Sequence, residues 1–167
     1  NKIKEELGEL PIIAEDLGLM TQGVIDLREA TGFPGMKILG FAFDSKEEND
    51  YLPHTYTKNC VVYTGTHDND TLIGWFTKAN EDDKQFARDY LNSRSDDEIH
   101  WDAIRAAWSS VASMAIVPIQ DFLGLGSEAR INTPGLASGN WQWRLKDGVL
   151  TDELAERIAK LTKVYSR

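Results

Sequence analysis

Cysteine, histidine and positive charge are all scarce in this 167-residue sequence, which has one Cys, three His, and 18 Lys plus Arg against 27 Asp plus Glu. A single thiol cannot form an internal disulfide. Cys60 opens the apolar run Cys60-Val61-Val62-Tyr63 and reads as a buried structural thiol rather than a reactive one. That usage fits a reducing compartment, and a cytoplasmic location is expected. With only His54, His67 and His100, and no His-x-x-x-His or Cys-x-x-Cys spacing, the chain offers no zinc set, so neither a metal nor a cofactor is expected. A net charge of -9 without clustered Lys or Arg repels a phosphate backbone and argues against nucleic acid as a partner. No apolar run approaches the ~20 residues that span a bilayer, and Asn1 to Leu10 alternates charge with isolated leucines, unlike a signal peptide. No membrane partner is expected. Low-complexity tracts, Pro-rich linkers and internal repeats are also absent, which excludes disorder and solenoids.

An apolar fraction of 41% over this length is enough for one core, so residues 1–167 read as a single unit. Four short apolar segments stand out: Pro11 to Ala14, Met36 to Phe43, Cys60 to Thr64 and Met114 to Ile119. Each is near-continuous in apolar residues, the pattern of a parallel strand covered by helices on both faces. Pro118 cannot donate a ladder hydrogen bond, so the fourth strand must end early or bulge there. Helical segments between strands give a β-α-β-α order and an α/β fold with a parallel sheet.

The first helix has Thr21 as its cap, Val24 and Leu27 on one face, and Gly32 as a left-handed stop. Asp70 is a candidate cap for a helix through Leu72, Ile73 and Trp75. Phe86 and Leu91 mark another helix, and Trp101, Ile104, Trp108 and Val111 form one apolar stripe. The last helix begins at Thr151, carries Asp152 and Glu153 in its positive-dipole turn, and lines up Leu154, Ile158, Leu161 and Tyr165. These stripes are expected to be core.

Every strand-like segment runs into polar chemistry: Glu15-Asp16, Asp44, Thr66-His67-Asp68 and Gln120-Asp121. Ligands of parallel α/β sheets sit beyond the carboxyl ends of the strands, where loops from different strands converge. A lone Asp after a strand is more often a cap or turn residue. Glu15 differs, because Glu caps poorly; burial at the rim of an apolar layer would raise its pKa toward the range of a general acid. Thr64-Gly65-Thr66-His67-Asp68-Asn69-Asp70 is the densest polar cluster. A strand-to-helix turn accounts for Asn69 and Asp70 but not for His67. Leu125 to Trp143, rich in Gly, Ser, Asn and Trp, reads as a long loop after the last strand. Within it, Asn140-Trp141-Gln142-Trp143-Arg144 alternates as a short strand would, with both indoles packed; stacking on a sugar ring is the alternative.

Taken together, Ile12-Ile13-Ala14-Glu15-Asp16-Leu17-Gly18, Phe33-Pro34-Gly35-Met36-Lys37, Tyr51-Leu52-Pro53-His54 and Tyr63 to Thr71 resemble the 4-alpha-glucanotransferase (amylomaltase, disproportionating enzyme) family. The resemblance continues through Gln120-Asp121, Gly124 to Arg130, Asn132-Thr133-Pro134-Gly135 and Gly139 to Arg144, in the expected order over nearly the whole chain. It implies a (β/α)8 TIM-type barrel acting with retention on alpha-1,4-glucans, with maltooligosaccharide as the partner. It further implies that Glu15 is the general acid/base, that Asp68 is a carboxylate favouring the oxocarbenium-like state, and that His67 binds the same sugar. Asp44 and Asn132 would line the cleft.

A retaining mechanism also needs a carboxylate nucleophile ~5 Å from the acid. No motif here supplies it. The resemblance implies that this Asp precedes the Glu segment and lies upstream of Asn1. A full barrel needs ~250 residues, so the expectation is the C-terminal half of one, with about four parallel strands and crossover helices. Such a half would leave an apolar inner face that must be closed by the missing N-terminal half or by a second copy of the chain. The isolated chain is then expected to be inactive. Two competing readings stand beside this one: a catalytically silent glucan-binding fragment, and a phosphate-binding half-barrel with Gly124-Leu125-Gly126-Ser127 as the cradle.

Overall fold

Three of the apolar runs meet as neighbouring strands in the computed structural model, which describes residues 2–8, 10–47 and 49–167, with backbone only for residues 3 and 4. Asn1, Glu9 and Glu48 lie outside the described residues. The strands are β1 (Gly35–Ile38), β2 (Cys60–Tyr63) and β3 (Met114–Ile116). They pair in parallel in the order β1-β2-β3, with Met36 beside Val61 and Val61 beside Met114. The helices are α1 (Lys2–Leu7), α2 (Gln22–Thr31), α3 (Leu72–Lys78), α4 (Glu81–Leu91), α5 (Ile99–Ser109), α6 (Ile119–Phe122) and α7 (Asp152–Tyr165). The fold is therefore α/β, as expected.

The first apolar run is not a strand. Pro11 to Ala14 runs without regular secondary structure beside the entry to β1, where the Ala14 N–H donates to the Pro34 carbonyl at 2.9 Å. The second strand is shorter than expected: after Ile38 the chain tightens into a 3-10 turn over Leu39–Phe41. Another 3-10 turn, Pro53–Thr55, precedes β2, so no α-helix crosses from β1 to β2 among the described residues. The fourth run ends early, as Pro118 required. β3 stops at Ile116 and Pro118 precedes the first turn of α6.

The core gathers where α5 meets the sheet and the neighbouring helices. Leu39, Val62 and Ile104 have no exposed surface, and Trp101 and Trp108 of α5 are buried with them. The α5 stripe thus packs as read, except that Val111 lies past the helix end and is exposed. α7 turns Leu154, Ile158, Leu161 and Tyr165 onto the same cluster, and Thr151 caps it by accepting from the Leu154 N–H at 3.2 Å. Cys60 is buried, burial pushes its thiol up, and its S–H donates to the Thr57 carbonyl.

Two expectations fail. α2 ends at Gly32 in the left-handed conformation (φ 71°), but Thr21 makes no side-chain cap, and Val24 and Leu27 are exposed rather than core. The helices also do not cover both sheet faces: Ala115 packs on the core while its neighbours Met114 and Ile116 stay exposed. A continuous apolar run was read as two covered faces, although apolar residues on a strand say nothing of what lies against each face. Among the described residues, no helix is long and apolar enough to cross a membrane.

The Pro11–Gly18 segment is held by one side chain. Asp16 accepts from the Met36 N–H and from Arg28 Nη1, each at 2.7 Å, and so ties the segment to β1 and α2. Gly35 makes this possible, because a Cβ there would stand 2.4 Å from Asp16 Oδ2. Gly35→Ala is expected to destabilise the chain by roughly 1–3 kcal/mol, read as a lower urea midpoint. An unchanged midpoint would show that Asp16 can swing aside freely.

Candidate active site

Loops from three chain segments converge past the carboxyl ends of the strands. They enclose a cavity of about 620 Å³ lined on one side by Ile13, Glu15 and Leu17, and on others by His67, Asp68, Asp121 and Arg130. Glu15 and Asp68, the two acids singled out from sequence, therefore share one cavity. His67 lines it beside Asp68, with its Nε2 3.3 Å from Asp68 Oδ1. Asn132 donates from its side chain to Asp68 Oδ1 at 2.5 Å, and its backbone N–H donates to the His67 carbonyl at 3.1 Å. Asp44 is not brought in. It lies exposed, accepts from the Lys46 N–H at 2.9 Å, and is not among the cavity's lining residues.

The burial expected around Glu15 is also missing. Glu15 is exposed and has no hydrogen-bond or ion partner among the described residues. The strand rim expected to bury it is an irregular segment whose one backbone bond to β1's entry is Ala14 N–H to the Pro34 carbonyl.

The loop that carries His67 and Asp68 is held at several points. Inside it, the Thr66 N–H and hydroxyl both donate to Asn69 Oδ1 at 2.8 Å. At its far end Thr71, not Asp70, caps α3, by accepting from the Gly74 N–H at 3.0 Å. Asp70 instead accepts from Lys78 and Ser127, each at 2.7 Å, and from the Thr71 N–H. Burial alone would raise its carboxyl, but these donors outweigh it and hold Asp70 below the usual carboxylate range. Arg130 clamps the middle of the loop, donating to the Asp68 carbonyl at 2.6 Å and to the Asn132 carbonyl at 2.8 Å.

Asp121 spans the whole loop. It is 2% exposed, and its two oxygens accept from the Thr64 hydroxyl at 2.5 Å and the Leu72 N–H at 2.8 Å. Thr64 directly follows the last residue of β2 and Leu72 is the first of α3, so one carboxylate ties both stems. Sequence reading placed Gln120-Asp121 at the edge but gave Asp121 no role. Its partners lie 57 and 49 residues away in the chain, and no spacing in the sequence signals them. Burial pushes the Asp121 carboxyl up, against the pull of its two donors, with the Asp70 charge adding to the rise.

The phosphate reading does not survive this geometry. The amides of Gly124 and Leu125 donate to the Asp121 and Gln120 carbonyls, and that of Gly126 to Glu128 Oε1. The Ser127 hydroxyl is spent on Asp70. A cradle whose donors are already satisfied, one of them by a carboxylate, repels phosphate. Among the described residues, no three His, Cys, Asp or Glu side chains are grouped to hold a metal ion. The expected strand over Asn140 to Arg144 is absent, and Trp141 is exposed rather than packed.

A parallel sheet with an acid-lined cavity past its carboxyl edge is the arrangement in which α/β enzymes hold their ligands. The family model described as 4-alpha-glucanotransferase matches residues 1–151, and the chain belongs to that family. It is 51% identical over its whole length to the 4-alpha-glucanotransferase of Clostridium butyricum, covering 34% of that protein. It is 53% identical to that of Synechocystis sp. over 95% of the chain and 32% of the relative. Among solved structures, an amylomaltase from Streptococcus agalactiae in complex with acarbose superposes with a TM-score of 0.94 at 38% identity. That match covers 99% of this chain and 34% of the other. The chain thus spans about a third of the length of the relatives it matches.

Because Asp121 has a raised carboxyl, its protonated form is favoured in the folded chain. The fold then binds more protons than the unfolded chain in that window, and this group's contribution to stability falls as pH rises above the ordinary carboxylate range. Asp121→Asn keeps the size and one acceptor and removes the titration. The stability of the variant relative to the parent is expected to climb as pH rises from about 4 toward 8, measured by urea unfolding. A difference that does not vary with pH would show that Asp121 titrates like a free carboxylate.

Proposed function

We propose that this chain contributes the general acid/base and a sugar-holding carboxylate to a site that transfers alpha-1,4-glucan segments with retention, within a larger 4-alpha-glucanotransferase. The observation that carries this reading is the shared cavity of Glu15 and Asp68 in a chain of that family. Glu15 protonates the leaving glycosidic oxygen as its bond to C1 breaks. It then takes the proton from the acceptor hydroxyl as that oxygen attacks C1. Its exposure, and the absence of a partner among the described residues, leave it free to exchange that proton. Asp68, oriented by Asn132 and Arg130, holds ring hydroxyls and favours the positively charged transition state, with His67 on the same sugar. The acarbose complex of the Streptococcus agalactiae relative supports a sugar as the occupant.

The covalent step needs a carboxylate nucleophile. The other carboxylates lining the cavity, Asp70 and Asp121, are each engaged by their own donors. The reading therefore assigns the nucleophile to a part of the protein outside these residues. It likewise assigns the exposed faces of Ile13, Met114 and Ile116 to closure by the rest of a (β/α)8 barrel, of which this chain is the C-terminal half. A reducing, cytoplasmic setting goes with the lone buried thiol.

The test uses maltotriose. The 167-residue chain alone is expected to leave it unchanged, whereas the full-length protein disproportionates it into longer and shorter products. Glu15→Gln in that protein should lower the rate roughly 100-fold or more, with the products read by chromatography. Transfer by the chain alone would overturn the placement of the nucleophile, and full activity in the Glu15 variant would overturn the role of Glu15.

A further inference from the structure

Trp141 lies outside everything the site has used so far. It is 56% exposed and sits at φ 64°, a left-handed backbone that bulky residues rarely adopt. The strain is held from both sides. The Trp141 N–H donates to the Ile131 carbonyl at 2.8 Å, and the Trp141 carbonyl accepts from Arg144 Nη1 at 3.0 Å. The preceding Asn140 accepts from the Thr133 N–H at 2.9 Å and donates to the carbonyls of Thr133 and Leu136. Strained backbone persists only where surrounding bonds over-determine it. Here the result is an indole placed outward: Trp143 is half-buried, but Trp141 gains no burial in exchange for its conformation.

What the conformation secures is a position. The Trp141 ring centroid lies 5.1 Å from that of His67, with the planes tilted by 36°. Its backbone partner Ile131 lines the acid-bearing cavity, so the indole stands at the rim of that cavity, next beyond the imidazole.

We propose that Trp141 is a stacking platform that extends the cavity past His67 and takes the face of a glucose unit of an alpha-1,4-glucan. The proposal rests on the glucan reading of the cavity. A pyranose presents C–H groups on its faces and hydroxyls around its edge. An indole can cover such a face by dispersion while the hydroxyls keep their water. Asp68 and His67 offer the polar contacts for one sugar, and Trp141 offers the apolar contact for its neighbour. The platform therefore discriminates by chain length: a ligand too short to pass His67 does not feel it.

The experiment follows the tryptophan indole N–H signals of the full-length protein, in a Glu15→Gln background that leaves the sugar intact, in 1H–15N spectra during titration with maltose and with maltoheptaose. Loss of one signal in Trp141→Phe assigns Trp141. The expected result is a saturable shift of that signal with maltoheptaose, and a loss of affinity of roughly tenfold in Trp141→Ala with little change for maltose. Trp141→Phe keeps a ring and should recover part of the loss, which separates stacking from a disturbed loop. Maltoheptaose binding that weakens in Asp68→Ala but not in Trp141→Ala, with the indole signal still, would overturn the platform and leave the glucan site standing. No saturable shift at any residue up to millimolar sugar would overturn the glucan reading, and the platform with it.

Discussion

The loop from Gly65 to Thr71 leaves a strand and must enter a helix while presenting polar side chains to a cavity, and Asp121 makes that possible. Both stems of the loop end in donors that face inward: the Thr64 hydroxyl and the Leu72 amide. The Leu72 amide is one of the unsatisfied groups of the first turn of α3, which favours negative charge close by. Asp121 answers both at once, from a turn that Pro118 forces to begin directly after β3. The cost is a carboxylate almost wholly removed from water, and its raised pKa is the measure of that cost. The geometry of His67 and Asp68 thus depends on a residue that reaches them through the backbone.

The fold was legible where local signals were unambiguous. The α7 stripe, the Gly32 stop and the interruption at Pro118 each rest on one dominant effect: apolar periodicity, freedom at positive φ, and a missing donor. Pro11 to Ala14 failed because a run of apolar residues records burial propensity and not pairing. The segment has one bond to the Pro34 carbonyl where a strand needs a ladder. Val24 and Leu27 failed for the related reason that an apolar face does not say what lies against it, and both are exposed. The exposed Met114 and Ile116 tell the same story on the sheet.

For the site, chemistry at strand ends pointed to Glu15 and left His67 unexplained by the turn, the family resemblance added Asp68, and the cavity gathers all three. Asp44 was out of reach of this logic, because β1 ends at Ile38 and the 3-10 turn after it carries the chain away before Asp44 is reached. Asp16, Asp121 and Arg130 were harder still. Their partners are backbone groups far away in sequence, and no spacing pattern encodes an acid that accepts from an amide twenty or fifty residues distant. Around Trp141 the alternation of aromatic and polar residues matches a strand, whereas its positive φ goes with the bonds that Asn140 and Arg144 make to distant and neighbouring backbone groups.

A division of labour among the carboxylates follows from which of them have been given donors. Asp16, Asp70 and Asp121 are shielded from water to differing degrees, and each accepts at least one backbone amide along with a side-chain donor. An acid so engaged fixes geometry, because moving its proton or its position would break the bonds that hold a loop. Asp68 is intermediate: Asn132 and His67 orient it, yet its side chain is 48% exposed. Glu15 is at the other limit, exposed and without a partner in the described chain. Among the carboxylates that line the cavity, Glu15 is thus the one whose oxygens no described residue occupies, and its neighbour Asp16 anchors the segment that carries it.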